Sequence, residues 1–240
     1  MKKSLFFAMV ILFTACKNSD TRPTISTILQ GDYQTITTAE LEQPVMFTSS
    51  EKITDQARIK EYISRRKTNV FNFTSGTETS NLPVISIAFK AEKKVSIRQQ
   101  QNNGIAAIYQ FNGNIYRQDD ADIYIKKPIP DTLSYATGTI IFGGSGGSIT
   151  LGKIDTRMTC VQAGYHGTIC TYTPSLVLNI KKGSLYVPLL TYDVYQRREF
   201  SMSTYTATNQ PVSLNPDIIS ELTSGDTVVV QQKYLKLEKK

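Results

Sequence analysis

Across most of the chain, hydrophobic and polar residues alternate with a period of two. Ile85, Ile87 and Phe89 alternate with Ser86 and Ala88, and Val95 and Ile97 follow a charged turn. Alternation of this kind predicts strands with one face buried. Residues 25–48 read as two strands with a turn near residues 40–43. Residues 105–111 and 115–117 flank Asn112-Gly113, and Asn-Gly between alternating runs predicts a hairpin, because both turn positions need positive φ. Ile123 and Ile125 lead into Pro128-Ile129-Pro130, a rigid break and the best candidate for an internal boundary, with a long loop inside one domain as the preferred reading. In the second half, residues 139–142 and 149–154 flank a Gly-rich stretch. Residues 175–180 and 184–195 flank Lys181-Lys182-Gly183 as a second hairpin. Residues 200–207 and 226–237 are further strands.

Two segments depart from this period. Ile59, Tyr62 and Ile63 recur at helical spacing after a candidate cap at Thr54 or Asp55, and Arg65, Arg66 and Lys67 fall in the last turn, where cations complement the dipole. Asn215-Pro216 predicts a second short helix, with Asn as cap, Pro at the first helical position, and Ile218, Ile219 and Leu222 facing inward. The expected fold is mostly β: an antiparallel β-barrel or β-sandwich of about ten to twelve strands with two short helices. Strands and helices do not alternate regularly, which disfavours a parallel βαβ architecture. Hydrophobic residues are 40% of the chain, enough for a real core.

The first sixteen residues follow a different logic. Lys2 and Lys3 precede an apolar run containing Phe6, Phe7, Val10, Ile11 and Leu12, closed by Thr14-Ala15-Cys16. A basic start, a short apolar run and a small residue before a cut describe a secretory signal, and the run is too short to span a bilayer as a helix. Cys16 directly after a small residue resembles the lipobox of bacterial lipoproteins. The resemblance implies cleavage before Cys16 and diacylation of its thiol, and so a protein held on the cell-envelope membrane by lipid. In lipoproteins of enteric bacteria an Asp after the Cys resembles an inner-membrane retention signal. Lys17 stands there, which implies the outer membrane. The resemblance also speaks against a transmembrane barrel and divides the chain into a signal peptide (1–15), a lipidated Cys with a polar tether (16–24) and one β-rich domain (25–240).

That division sorts the cysteines. With Cys16 as the anchor, Cys160 and Cys170 remain, and an even pair in an exported protein is expected to form a disulfide. The net charge of +7 falls by two when Lys2 and Lys3 are removed. The remaining cations recur as scattered pairs, which read as solvated turns and guards on edge strands. No nucleic-acid partner is expected.

Several motifs carry chemistry in outline only. Gly143-Gly144-Ser145-Gly146-Gly147 satisfies G-x-S-x-G, with Asp155 and His166 following in the order of a hydrolase triad. The elbow needs a helix after the serine, yet Ser148-Ile149-Thr150-Leu151 is an alternating strand sequence. Residues 147–153 read G-x-x-x-x-G-K, but Ile154 stands where a phosphate loop needs Ser or Thr. Asp119, Asp120 and Asp122 cluster between strands without the Gly and distal Glu of a calcium loop, and read as a solvated turn. His166 is the only histidine, so no metal site and no cofactor is expected. Tyr165, Tyr172, Tyr186, Tyr192, Tyr195 and Tyr205 crowd the second half, as packing residues or as a row that stacks on sugars or lines an apolar pocket.

Leu29-Gln30-Gly31-Asp32-Tyr33 resembles the G-x-W opening of lipocalins with Tyr in place of Trp, and a late helix before the last strand is similar to that family. The resemblance implies a barrel holding a small apolar ligand. The leading expectation is a lipid-anchored envelope binding or interaction module without a catalytic set. Its partners would be the membrane, through the anchor, and an envelope protein, a glycan or an apolar ligand. The alternatives are a lipocalin-like carrier of a small hydrophobic ligand and a hydrolase using Ser145.

Overall fold

A computed structural model describes residues 29–240, except 75, 101–107, 135–144, 147–148, 155–158, 163–167, 198 and 200–201. Cys16 lies outside the described residues, as do Asp155 and His166. The strands in chain order are β1 (Gly31–Leu41), β2 (Val45–Thr48), β3 (Lys52–Ile53), β4 (Gly76–Glu78), β5 (Val84–Phe89), β6 (Lys94–Gln100), β7 (Ile108–Gln118), β8 (Asp122–Lys126), β9 (Asp131–Ser134), β10 (Ser145–Gly146), β11 (Ile149–Thr150), β12 (Thr159–Gln162), β13 (Thr168–Tyr172), β14 (Ser175–Lys181), β15 (Ser184–Arg197), β16 (Met202–Gln210) and β17 (Thr227–Lys239). One α-helix, α1 (Gln56–Arg66), lies between β3 and β4.

Eight strands close into an antiparallel barrel in the order β15-β14-β8-β7-β6-β5-β1-β17, with β17 returning to pair with β15. The mostly β, antiparallel architecture expected from the alternation is the one the chain adopts. Inward positions carry the apolar half of each strand. Ile85 and Ile87 of β5, Ile97 of β6, Ile123 and Ile125 of β8, Leu178 of β14, Val187 and Leu189 of β15, and Leu235 and Leu237 of β17 belong to one buried cluster. Each such side chain contributes about 1.5–3 kcal/mol on burial.

β15 and β17 are longer than the barrel. Beyond its end β15 pairs with β16 instead of β14, and β17 pairs with β2 instead of β1. The result is a second small sheet covered on both faces. On the face continuous with the barrel interior, α1 packs Ile59 and Ile63 against Met46, Ile53 and Val229. On the opposite face, Ile149 and Leu151 pack with Ile218 and Leu222 against Leu190, Tyr192, Val228 and Val230. Barrel and sandwich packing therefore occur in the same molecule.

A buried polar layer separates the barrel core from the helix-covered cluster. Thr191, Asp193 and Gln231 are fully buried and Lys233 is 3% exposed. Asp193 accepts hydrogen bonds from Arg66 Nε at 2.8 Å and Thr206 Oγ1 at 2.8 Å. Lys233 pairs with Glu78 at 2.8 Å and donates to Asn209 Oδ1 at 2.9 Å. Gln231 donates to the carbonyl of Glu42 at 3.0 Å and accepts from Asn72 N–H at 2.9 Å. Thr191 Oγ1 accepts from Asn209 N–H. Every charge here has a partner, as burial in low dielectric requires.

The helix expected at residues 54–67 forms. Asp55 accepts from the N–H groups of Ala57 and Arg58, and Lys67 closes the other end in the left-handed region at φ 55°. The hairpin at residues 181–183 forms as well, with Lys182 and Gly183 at φ 49° and 74° between Lys181 and its partner Ser184. Two expectations are corrected. The second helix is a 3-10 turn, Ile218–Glu221. Asn215 Oδ1 accepts from Asp217 N–H as a local turn, and Glu221 reaches back to Thr150 N–H and Asn215 instead of continuing a helix. Asn112-Gly113 is not a hairpin turn: β7 runs straight through it. The two flanking runs share one phase, so Phe111 and Gly113 fall on the inward side and Asn112 outside. Gly113 is needed for space, because a Cβ there would meet Ile125 Cγ2 at 2.9 Å and Lys126 O at 3.1 Å.

Pro128 and Pro130 interrupt the passage from β8 to β9, and Pro174 interrupts β13 to β14 at the same level, where Lys127 N–H donates to Pro174 O at 2.8 Å. The two proline sites make a kink in one two-stranded ribbon. Beyond the kink β9, β13 and β12 form a separate three-stranded sheet. Cys160 stands opposite Cys170 in the β12–β13 register, and Cys170 is buried and disulfide-bonded.

Two outcomes are expected. Gly113→Val overpacks the barrel wall and lowers stability by about 1–3 kcal/mol in urea denaturation, whereas Asn112→Ala, on the exposed side, changes it little. Peptide mapping without reductant returns Cys160 and Cys170 as one linked pair, and a free thiol at either would contradict the pairing.

Candidate functional site

The alternation that fills the barrel also decorates its outer wall. With Ile123 and Ile125 inward, β8 turns Asp122, Tyr124 and Lys126 outward. In the same way β14 presents Asn179 and Lys181, and β17 presents Tyr234 and Lys236. Asn179 lies between Asp122 on β8 and Tyr186 on β15 in the strand registers, which aligns these groups in one row.

A crossing segment converts this row into a groove. Gly152 is bridged to Leu214, and Lys153 N–H donates to Ser213 O at 2.8 Å. A Cβ at Gly152 would meet Val212 Cγ1 at 2.8 Å, so only glycine permits so close a crossing. Gln232, 6% exposed, anchors the segment: its amide donates to Leu189 O and Val212 O and accepts from Leu214 N–H. The groove encloses about 300 Å³, lined by Glu42, Asp122, Lys153, Lys181, Ser213 and Tyr234 among others.

Asp122 is its electrostatic centre. The side chain is 6% exposed and pairs with Lys153 Nζ at 2.6 Å. Asn179 Nδ2 donates to its other oxygen, and Tyr124 O–H donates at 3.3 Å. Across the groove, Lys181 Nζ sits 2.8 Å above the ring centroid of Tyr234 and 5.9 Å from that of Tyr186. Burial lowers the pKa of Lys181 below the usual lysine value, against the opposing pull of Glu42 and Glu40. Burial pushes the Tyr234 phenol well above its ordinary value, and neighbouring Glu42 adds to the shift. Beside the groove, an irregularity in β7 at Tyr116 lets Arg117 stack 3.5 Å over Tyr124, with Tyr116 half exposed against the same ring. Such a surface recognises by charge and directed hydrogen bonds: two ammonium groups and two carboxylates at fixed positions, framed by aromatic rings.

The residues singled out from the sequence are distributed differently. Ser145 lies in β10 and pairs with Thr150 of β11, so a strand follows the serine where a nucleophile elbow requires a helix. Lys153, the last residue of the phosphate-loop pattern, serves as the partner of Asp122. The three aspartates divide: Asp119 Oδ1 accepts from the N–H groups of Ala121 and Asp122 and shapes the turn, whereas Asp122 is buried in the groove. Of the late tyrosines, Tyr172 and Tyr192 are buried, Tyr186 lies 5.9 Å from Lys181 Nζ, Tyr195 lies under Arg66, and Tyr205 is exposed. Tyr165 lies outside the described residues. Asn179, Gln232, Tyr234 and Glu42 were missed. Strand parity marks the first three as one face of their strands, but only the topology makes those faces neighbours.

No protein-family model, curated protein or solved structure matches the chain.

Burial raises the phenol pKa of Tyr62, Tyr116, Tyr186, Tyr192 and Tyr234. Unfolded phenols lose their protons first, near pH 10. Above that pH the folded state therefore binds more protons, and the stability from these groups, complete below pH 10, is lost as pH rises. Lys181, shifted down, acts in the opposite sense between its folded value and the usual lysine value. The five phenols are expected to outweigh it, so stability falls above about pH 10. Absorbance titration at alkaline pH is expected to show Tyr234→Phe matching the parent protein in the native state up to about pH 11, and one phenol short only when denatured.

Proposed function

We propose that this chain is a lipid-anchored protein of the bacterial cell envelope that binds a polar partner segment through the outer-wall groove. The observation that carries the binding part is the groove itself. It holds a buried carboxylate, Asp122, fixed by Lys153 and Asn179, and a half-buried Lys181 stacked on Tyr234, beside a crossing segment anchored by Gln232. Positions fixed before binding reduce the ordering cost of association. The anchoring part is supported by the leader, Lys2 and Lys3, the short apolar run and Ala15-Cys16. The barrel interior bears on the carrier reading. Its axis is occupied by Ile85, Ile87, Ile97, Leu178, Val187, Leu189 and Leu235, and an axial ligand would have to displace them.

Metabolic labelling with palmitate is expected to mark the parent protein and not Cys16→Ser, and the variant is expected to leave the membrane fraction. Label retained in Cys16→Ser would overturn the anchor. For the groove, a photocrosslinker at exposed Glu42 in intact cells is expected to give a discrete adduct that Lys153→Glu removes. An adduct indifferent to Lys153→Glu would count against the groove as the binding surface.

A further inference from the structure

A second cavity lies at the end of the barrel where the described chain begins. It encloses about 300 Å³ between Leu29 and Gln30 ahead of β1, the turn joining β5 to β6, and Ile115 and Gln118 near the end of β7. Its floor is apolar. Leu29 is 4% exposed and Phe89 6%, and Phe89 is held edge-on to Tyr33 with centroids 5.4 Å apart. Ile115 packs against the same core. Its rim is charged, with two cations to one acid: Lys90, Glu92 and Lys93 all line it.

The rim is the turn of the β5–β6 hairpin. Lys90 N–H donates to Lys94 O at 2.8 Å, closing a tight turn in which Glu92 and Lys93 both stand in the left-handed region at φ 59° and 61°. Both central positions of a tight hairpin turn need positive φ, so the β5–β6 connection itself sets this geometry. Glu92, the acid in this turn, pairs with Lys94 at 2.8 Å. Among the described residues, neither Lys90 nor Lys93 has a carboxylate within ion-pair distance.

An apolar floor under a rim of two ammonium groups without ion-pair partners, and one carboxylate already held by Lys94, defines its ligand by chemistry. We propose that this cavity binds a single-chain anionic amphiphile of the fatty-acid class, with the hydrocarbon on Leu29, Phe89 and Ile115 and the anionic head between Lys90 and Lys93. The volume is at the small end for ligand sites, which selects a short or medium chain over a diacyl lipid. This site shares no residue with the outer-wall groove and stands independently of it.

The test is calorimetric titration of monomeric decanoate into the chain from residue 16 carrying Cys16→Ser, which keeps every described element. Saturable binding is expected, weakened at least about tenfold by Lys90→Glu with Lys93→Glu and weakened by added salt. Decanol, with the same chain and no charge, is expected to bind at least about tenfold less tightly. Ile115→Trp fills the floor and is expected to abolish binding. Should that variant not fold, the paired lysine substitutions on the exposed turn still decide the question. Flotation with phosphatidylglycerol vesicles separates the sources of the head group. Vesicle binding without decanoate binding would show a flat membrane-surface contact and overturn the cavity site. Equal affinity for decanol and decanoate, or affinity unchanged in the lysine variant, would overturn it too.

Discussion

The structure depends on the pairing of β15 with β17. Eleven residue pairs run in unbroken register from Leu185 opposite Leu237 to Tyr195 opposite Thr227. The first half of this ladder closes the barrel, and the second half carries the small sheet beyond it. Because side chains alternate strictly along a strand, this one register decides the fate of both faces over the whole length. It sends Leu235, Leu237, Val187 and Leu189 into the barrel core and Tyr234 and Lys236 to the outer wall. Farther along, the same parity delivers Asp193, Gln231 and Val229 beneath α1.

The buried polar layer guards that register. A slip of one residue would bring Lys233, Gln231 and Asp193 out of their pockets and strand Arg66, Glu78 and Asn72 without partners. Removing one partner of a buried ion pair costs about 3–5 kcal/mol, whereas replacing the whole network by well-packed apolar groups is often neutral. The layer therefore contributes more to choosing one arrangement than to net stability. Apolar residues alone would discriminate poorly here, since on β17 Val228, Val229 and Val230 are buried on alternate faces of the same strand. The polar residues break that degeneracy.

What the sequence shows plainly is parity. The strands, the helix with its Asp55 cap and the turn at Lys182-Gly183 are local, and their signals sit within a few residues. Asn112-Gly113 misleads because the dipeptide is a turn signal only when the phase of the alternation resets across it. Here Phe111, Gly113 and Ile115 keep one phase, which is the signature of a continuous strand. The 3-10 turn at Ile218–Glu221 escapes because Glu221 serves Thr150, a partner 71 residues away. The groove is invisible for the same reason. Asp122 and Asn179 are 57 residues apart, and Asp122 and Lys153 are 31 apart. Polar residues at inward positions, such as Lys233 and Asp193, read as surface until the register shows what they face.

A closed barrel with a filled axis leaves its outer wall and its ends for binding chemistry. The outer wall has polar groups in abundance, but a convex surface gathers little around a ligand. Concavity there needs a second layer, which the crossing at Gly152 and the anchor at Gln232 supply. The end near Leu29 is concave because β1 and the β5–β6 turn rise around it. Position adds a second argument for that end. Between Cys16 and Leu29 lie thirteen residue steps, which span at most about 45 Å when fully extended. A lipid on Cys16 would therefore keep the barrel end at Leu29 within about 45 Å of the membrane surface. Lys90, Lys93, Lys94, Lys239 and Lys240 surround that end, since β1 pairs with both β5 and the C-terminal segment there. Their charge would favour amphiphiles released from an anionic bilayer over neutral ones, and within about a Debye length of the surface it would also hold that end of the barrel toward the lipid.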